Sequence, residues 1–339
     1  MSKILPAVIG LGYVGLPIFA RLNAKLKTTG FDINLKRVKQ LKKLEDINSE
    51  IKKNELILKN NSILTNNINE LKKNNFFIIT VPTPIHKSKK PDLKHLYSAC
   101  KILSKCLKNN DIVFFESTVY PGLTKQLKNK FFKNKKIWLG YSPERINPGD
   151  KINNLKNIKK IVAFEKCPKL IKKKILYTYN IISKNLVLSK SLENAEMSKV
   201  IENVQRDINI AFMNEILMIC KKLDLNFNEV MSLAKTKWNF LNFSPGLVGG
   251  HCLPVDPFYL YYLSKNKGYN ANFILAGRTV NDHLYKFVEY QVKKKIIQNK
   301  CKKILICGVS YKPNVSDLRN SLAFKIFKNL KGNKNLKVN

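Results

Sequence analysis

The sequence predicts an α/β protein: a doubly wound parallel sheet first, a helical region around one long helix next, and the start of a second α/β unit last. Three observations predict it. Short apolar runs alternate with helix-period stretches over the first 140 residues. Beyond residue 190 apolar side chains recur at helical spacing with no strand-like runs between them. A strand-like run then returns at Lys303–Gly308.

Taken in order, Pro6–Ile9 is a short apolar strand, and Pro6 sits at its first residue, where a missing ladder donor costs least. Gly10-x-Gly12-x-x-Gly15 follows and opens a helical pattern through Leu22. A second strand ends at Gly30-Phe31-Asp32, and Lys36–Leu44 is helical. Phe76–Val81 is a buried strand running into Pro82-Thr83-Pro84. Asp92–Leu107 reads as a helix, Asp111–Phe115 as a strand, Lys125–Phe132 as a helix and Ile137–Gly140 as a strand. Glu193–Leu223 is one helix of ~30 residues, longer than most globular helices. Asn228–Lys235 and Ala271–Lys295 are helical, and Ser321–Leu330 completes the terminal strand–loop–helix. The Asn- and Lys-rich joints 52–75, 151–160 and 332–339 read as loops. The expected domains are 1–190, 191–300 and 301–339.

The chain has 339 residues, of which 44% are hydrophobic, enough for a substantial core. Its net charge is +39. Only six of its 62 basic residues are arginine, and the lysines are scattered in KK and KN pairs. Nucleic-acid readers favour arginine forks gathered on one face, so the charge reads as solvated lysine faces and no nucleic-acid partner is expected. No apolar run reaches the ~18 residues of a membrane span, so no membrane partner is expected. Seven cysteines, an odd number without a CxxC pair, fit a reducing cytoplasm better than a disulfide framework.

Three constellations carry chemistry. The glycine loop lets backbone close on a pyrophosphate at a helix N-terminus, and Asp32, ending the second strand, suits a ribose diol and repels a 2′-phosphate. That is the fingerprint of a Rossmann-like domain binding NAD. Lys199 and Asn203 lie four apart on one face of the long helix; they are either a solvated face or a pair of donors for a developing oxyanion. Finally, residues 246–260 read GLVGGHCLPVDPFYL. A metal would need further ligands at short spacing, and none is expected. Cys252 remains either an inert thiol or a nucleophile; the flanking glycines leave room for close approach of a substrate, a helix starting near Pro254 would lower the thiol pKa, and Asp256 lies one turn on.

Together IGLGYVGLP, VPTP, ESTVYPG, GYSPERINPGDK, KVIENVQRDINIAFMNE, KWNFLNFSPGLVGGHCLPVDPFYL, GRTVND and YKPNVSDLR resemble the nucleotide-sugar 6-dehydrogenase family across residues 4–330. They are most similar to its branch acting on UDP-N-acetylhexosamines such as UDP-N-acetylglucosamine, of the Vi-antigen type. The resemblance implies a four-electron, NAD-dependent oxidation of a sugar C6 hydroxyl to a uronic acid for surface polysaccharide. Cys252 would form a thiohemiacetal and then a thioester. Lys199 and Asn203 would hold the C6 oxygen, Asp256 and Thr118 would position water or relay a proton, and Glu144 would assist hydrolysis. NAD would be held by Gly10, Gly12, Tyr13, Val14, Gly15, Asp32, Arg37, Pro82, Thr83, Thr118 and Arg319. The sugar nucleotide would meet Glu144, Arg145, Lys199, Asn203, Phe240, Gly249, Arg278 and Lys312, with Arg278 crossing the interface of a homodimer built on the long helix.

Two departures from the family pattern stand out. Where the UDP-glucose branch has a second acid four residues after the position of Glu144, this chain has Pro148. Family members also carry a complete C-terminal UDP-binding domain, of which this chain shows only the first strand and helix. The expectation is therefore a fragment or the product of a decaying gene, and the alternative to an active enzyme is an inactive remnant that binds NAD or a full-length partner. A two-electron hydroxyacid dehydrogenase, the third reading, has no use for Cys252.

Overall fold

The computed structural model describes residues 3–48, 51–145, 155, 157–311, 318–332 and 337–338. The chain divides into two compact units, Met1–Val200 and Ile201–Asn339.

The first unit follows the alternation read from the sequence: β1 (Pro6–Ile9), α1 (Gly15–Asn23), β2 (Thr29–Phe31), α2 (Leu35–Lys42), β3 (Ile63–Thr65), α3 (Ile68–Leu71), β4 (Phe76–Ile79), α4 (Lys94–Ser104), β5 (Ile112–Phe115), α5 (Leu123–Phe131), β6 (Trp138–Tyr141), β7 (Lys159–Phe164), α6 (Lys169–Ile182) and β8 (Asn185–Leu188). The eight strands form one sheet in the order β3-β2-β1-β4-β5-β6-β7-β8. Strand order reverses between β1 and β4, the switch point where open α/β sheets bind ligands at strand carboxyl ends. Strands β1, β4 and β5 are buried at every position, as strands covered on both faces must be. Helices α1 and α6 pack into the same core as β1, β4 and β5, with Phe114 against Tyr179 at 4.7 Å between ring centroids.

Two differences from the sequence reading appear here. The joint at 52–75 contains β3 and α3, each too short to show a hydrophobic period. The joint at 151–160 ends in β7, which pairs antiparallel to β6, with Tyr141 opposite Ala163. A parallel pair would need a crossover helix, and none is present among the described residues of the connection. The start of β7 therefore lies beyond the carboxyl end of β6. Edge strand β8 is mostly exposed.

The long helix α7 (Leu192–Lys222) has 31 residues and runs from one unit into the other. Its first turns belong to the first unit, where Glu196, fully buried, caps α5 from a distance. It accepts from the Gly122 and Thr124 amides at 2.5 and 3.1 Å and from the Thr124 hydroxyl at 2.6 Å.

The second unit holds the rest of α7, α8 (Phe227–Ala234), α9 (Asp256–Asn266), α10 (Asn272–Gln298), β9 (Lys303–Ile304), α11 (Leu322–Lys331) and β10 (Lys337–Val338). The run at Lys303–Gly308 forms a strand only at its first two residues, and Lys337–Val338, inside an expected loop, pairs parallel with it. A small core of Ile326, Leu330 and Val338 packs on Tyr285, Val288, Val292 and Ile296 of α10. Among the described residues no helix is long and apolar enough to cross a membrane.

Candidate active site

The first unit builds a nucleotide cradle at the switch point. Gly10 has φ +96°, and its amide donates to the Phe31 carbonyl at 2.8 Å. The Thr80 hydroxyl donates to the Ile9 and Gly10 carbonyls at 3.0 and 2.7 Å, tying β1 to β4 beneath the loop. A Cβ on Gly15 would overlap the Gly10 carbonyl oxygen and crowd the Thr80 hydroxyl, whereas a Cβ on Gly12 would meet nothing within 4 Å. So Gly15 serves helix–strand packing, and Gly12 faces open space. The N-terminus of α1 has no side-chain cap at Val14 and no acid in its first turn, which leaves its amides and dipole to an anion. Asp32 Oδ2 accepts the Leu11 amide at 2.8 Å and Oδ1 the Asn34 amide at 2.8 Å, which sets the carboxylate at the rim of the cradle. Arg37 donates from Nε to the Leu11 carbonyl at 2.9 Å and pairs with Asp46 at 2.8 Å, and its buried Nη1 has no partner. Tyr13 and Thr83 are half-buried and Pro82 is exposed. The donor set and the cradle fit a dinucleotide pyrophosphate and its ribose.

The loops after β5 and β6 carry Thr118, half-buried, and Glu144, 9% exposed. Glu144 Oε1 accepts the Arg145 amide at 2.6 Å, while the Arg145 guanidinium donates to the Lys159 carbonyl at 3.0 Å. Glu144 Oε2 faces the ammonium of Lys160 at 3.3 Å. Lys160 is fully buried and ion-pairs also with Glu116, and Glu116 Oε1 accepts the Tyr179 hydroxyl at 2.9 Å. Burial pushes the Glu116 carboxyl up to about 7, against the pull of Lys160. Burial opposes the charge on Lys160 too, yet the two carboxylates hold its pKa above the ordinary value. Sequence reasoning missed Lys160, Glu116 and Tyr179.

In the second unit, the Asn203 side-chain amide donates to Asp256 Oδ2, and the two are 5% and 3% exposed. The Cys252 carbonyl accepts the amides of Val255 and Asp256 at 3.0 and 2.9 Å, so Cys252 begins the turn that leads into α9, whose second residue is Pro257. Cys252 is half-buried, and no disulfide links the seven cysteines. Among the described residues no cluster of His, Cys, Asp and Glu is placed to hold a metal ion.

The glycines before Cys252 have an occupant. A Cβ on Gly249 would lie 2.7 Å from Tyr311 Cβ, and one on Gly250 2.7 Å from the Tyr311 ring. The Gly250 amide donates to the Arg319 carbonyl at 3.1 Å, and the Asn320 side chain donates to the Gly250 carbonyl at 2.8 Å. An Arg319 guanidinium nitrogen lies 3.5 Å from His251 Nδ1. The room read beside these glycines is thus taken by Tyr311.

Arg278 is buried and paired with Asp207 and Asp282, and Asn281 donates to the Asp207 carboxylate at 2.8 Å. Burial raises Asp207 to about 6, with Arg278 pulling the other way. Lys199 and Phe240 are half-buried. Lys312 lies outside the described residues.

The sequence model described as the UDP-glucose/GDP-mannose dehydrogenase family, NAD binding domain, matches residues 4–181, and that of the family's central domain matches 193–283. The chain belongs to the UDP-glucose/GDP-mannose dehydrogenase family. It is an NAD-dependent nucleotide-sugar dehydrogenase, and the cradle around Gly12 lies within the stretch matched by the NAD binding domain. Protein CapL of Staphylococcus aureus is 43% identical over 96% of this chain and 79% of its own length. The UDP-N-acetyl-D-glucosamine 6-dehydrogenase of Salmonella typhi is 42% identical, with the same coverage. Among solved structures, the UDP-D-ManNAc dehydrogenase of Pyrococcus horikoshii superposes with a TM-score of 0.86 at 27% identity, covering 99% of this chain and 82% of that one.

Proposed function

We propose that this dehydrogenase oxidises C6 of a UDP-N-acetylhexosamine twice, to the uronic acid, through a covalent adduct on Cys252. The observation that carries the reading is the Asn203–Asp256 hydrogen bond, which ties the long helix to the end of the turn that Cys252 begins. The relatives named for UDP-N-acetylhexosamine oxidation support the substrate class.

NAD, when bound, accepts a hydride from the sugar carbon in each oxidation. In the first, the C6 alcohol loses a hydride and a proton and becomes an aldehyde. Lys199 and Asn203 steady the negative charge on the oxygen. The Cys252 thiolate then adds to the aldehyde carbon, the C=O π bond opens and the oxygen takes up a proton, and the tetrahedral adduct carries a hydroxyl whose carbon can give up its remaining hydrogen as a second hydride. The resulting thioester loses Cys252 to water, yielding the carboxylate and the thiol. Asp256 holds the water, its carboxylate fixed by Asn203, and Glu144 and Thr118 assist. A substrate role for Arg278 requires its guanidinium to leave Asp207, and Pro148 leaves Glu144 as the acid of its loop.

Incubation with a panel of UDP- and GDP-sugars tests the reading. NADH forms with UDP-N-acetylglucosamine or an epimer and not with GDP-mannose; the reverse preference overturns the substrate assignment.

A homodimer is part of the same proposal. Ile201, Phe212 and Ile219 recur along one side of α7 and are 46–52% exposed, while Asn203, Asp207 and Asn214, on the other side, are buried. An apolar stripe of this kind calls for a partner face. Sedimentation is expected to show a dimer for the wild type and a monomer for Phe212→Glu; a variant that stays dimeric removes α7 from the interface.

A further inference from the structure

We propose that Lys160 is a positioning residue for this reaction: fully buried, it fixes the Glu144 carboxylate in place, with Glu116 as the second carboxylate on its ammonium. The inference rests on the reading that Glu144 assists the hydrolytic step.

Three observations carry it. First, the antiparallel β7 brings its second residue to the carboxyl end of β6, where the loop to Glu144 begins. Second, the cluster is closed. The Lys160 ammonium meets Glu116, the Pro143 carbonyl at 3.1 Å and Glu144 at 3.3 Å, which uses its three donors. Glu144 is then held at both oxygens, by Lys160 and by the Arg145 amide. Third, among the described residues two carboxylates face this one ammonium, and the Tyr179 hydroxyl donates to Glu116. A lysine that only cemented the core would need one acid. The two acids share one buried cation, and Glu144, 9% exposed against 1% for Glu116, is the more open of the two to solvent.

The pairing predicts shifts of opposite sign. In Lys160→Met, Glu144 loses its cation, so the acid limb of the kcat/KM profile moves up by roughly one pH unit or more. Activity falls by up to about tenfold on the acid side of the limb and recovers as pH rises. In Glu116→Gln, Lys160 is left to Glu144 alone and the limb moves down. Lys160→Arg keeps the charge and restores the limb toward the wild-type position. A purely structural lysine would lower activity at every pH and leave the limb in place in all three variants, and that result overturns the proposal. If Lys160→Met does not fold, the isosteric Glu116→Gln decides by the direction of its shift alone. The carboxyl 13C signal of Glu144, followed against pH in the same proteins, reads the same opposite movements without turnover. A chain that oxidises no UDP-sugar yet shows them contradicts the activity and supports the positioning; turnover with an unmoved signal does the reverse.

Discussion

Cys252→Ala is expected to stop uronic acid formation, a loss of at least about a thousandfold in the second oxidation, while the fold is kept. The two effects separate because of what Cys252 does structurally. Its hydrogen bonds into the turn before α9 are made by its backbone carbonyl, to the Val255 and Asp256 amides, and alanine keeps that carbonyl. The thiol is half-buried, so its removal opens no large core cavity. The Asn203–Asp256 hydrogen bond is made between two other side chains and is expected to stay in place. The first oxidation can then proceed to the aldehyde, but without the thiolate no adduct restores a transferable hydride at that carbon. Chromatography of the products checks this: aldehyde without uronate is the expected outcome. Uronate at the wild-type rate would make Cys252 an inert thiol.

Substitution of Gly12 and of Gly15 in the nucleotide loop is expected to weaken NAD binding by different routes. In Gly15→Ala the new methyl would overlap the Gly10 carbonyl and crowd the Thr80 hydroxyl, and backbone must move. Overpacking of this kind costs about 1–3 kcal/mol, and it also displaces the start of α1. Both the melting temperature and NAD affinity fall. In Gly12→Ala nothing lies within 4 Å of the new atom, so the melting temperature stays near that of the wild type. Affinity for NAD still drops at least about a hundredfold, because the methyl occupies the side from which a pyrophosphate approaches the α1 amides. Thermal melts paired with calorimetry distinguish the two. A Gly12 variant that binds NAD as tightly as the wild type would place the pyrophosphate elsewhere.

What could be read from the sequence was what is local. The glycine fingerprint, Asp32 at the end of β2 and the apolar period of α7 each occupy one stretch of chain, and the structure shows each where its spacing implied. Residues whose meaning depends on distant partners could not be read. Lys160 stands 44 residues from Glu116 and looks like one of many lysines in an Asn-rich joint; only the alternation of KKIVAF marks it as a strand residue. Glu196 caps a helix 72 residues earlier in the chain. The glycines before Cys252 read as room for substrate because Tyr311, which fills the space beside them, comes more than 60 residues later. Strand β10 is two residues long and gains its identity only by pairing with β9.

The central claim, two oxidations at one carbon through Cys252, is tested most directly by the ratio of NADH formed to UDP-N-acetylhexosamine consumed in a single-turnover-limited reaction. The account predicts two NADH for each sugar, with the uronic acid as product. One NADH for each sugar, with free aldehyde released, would contradict it.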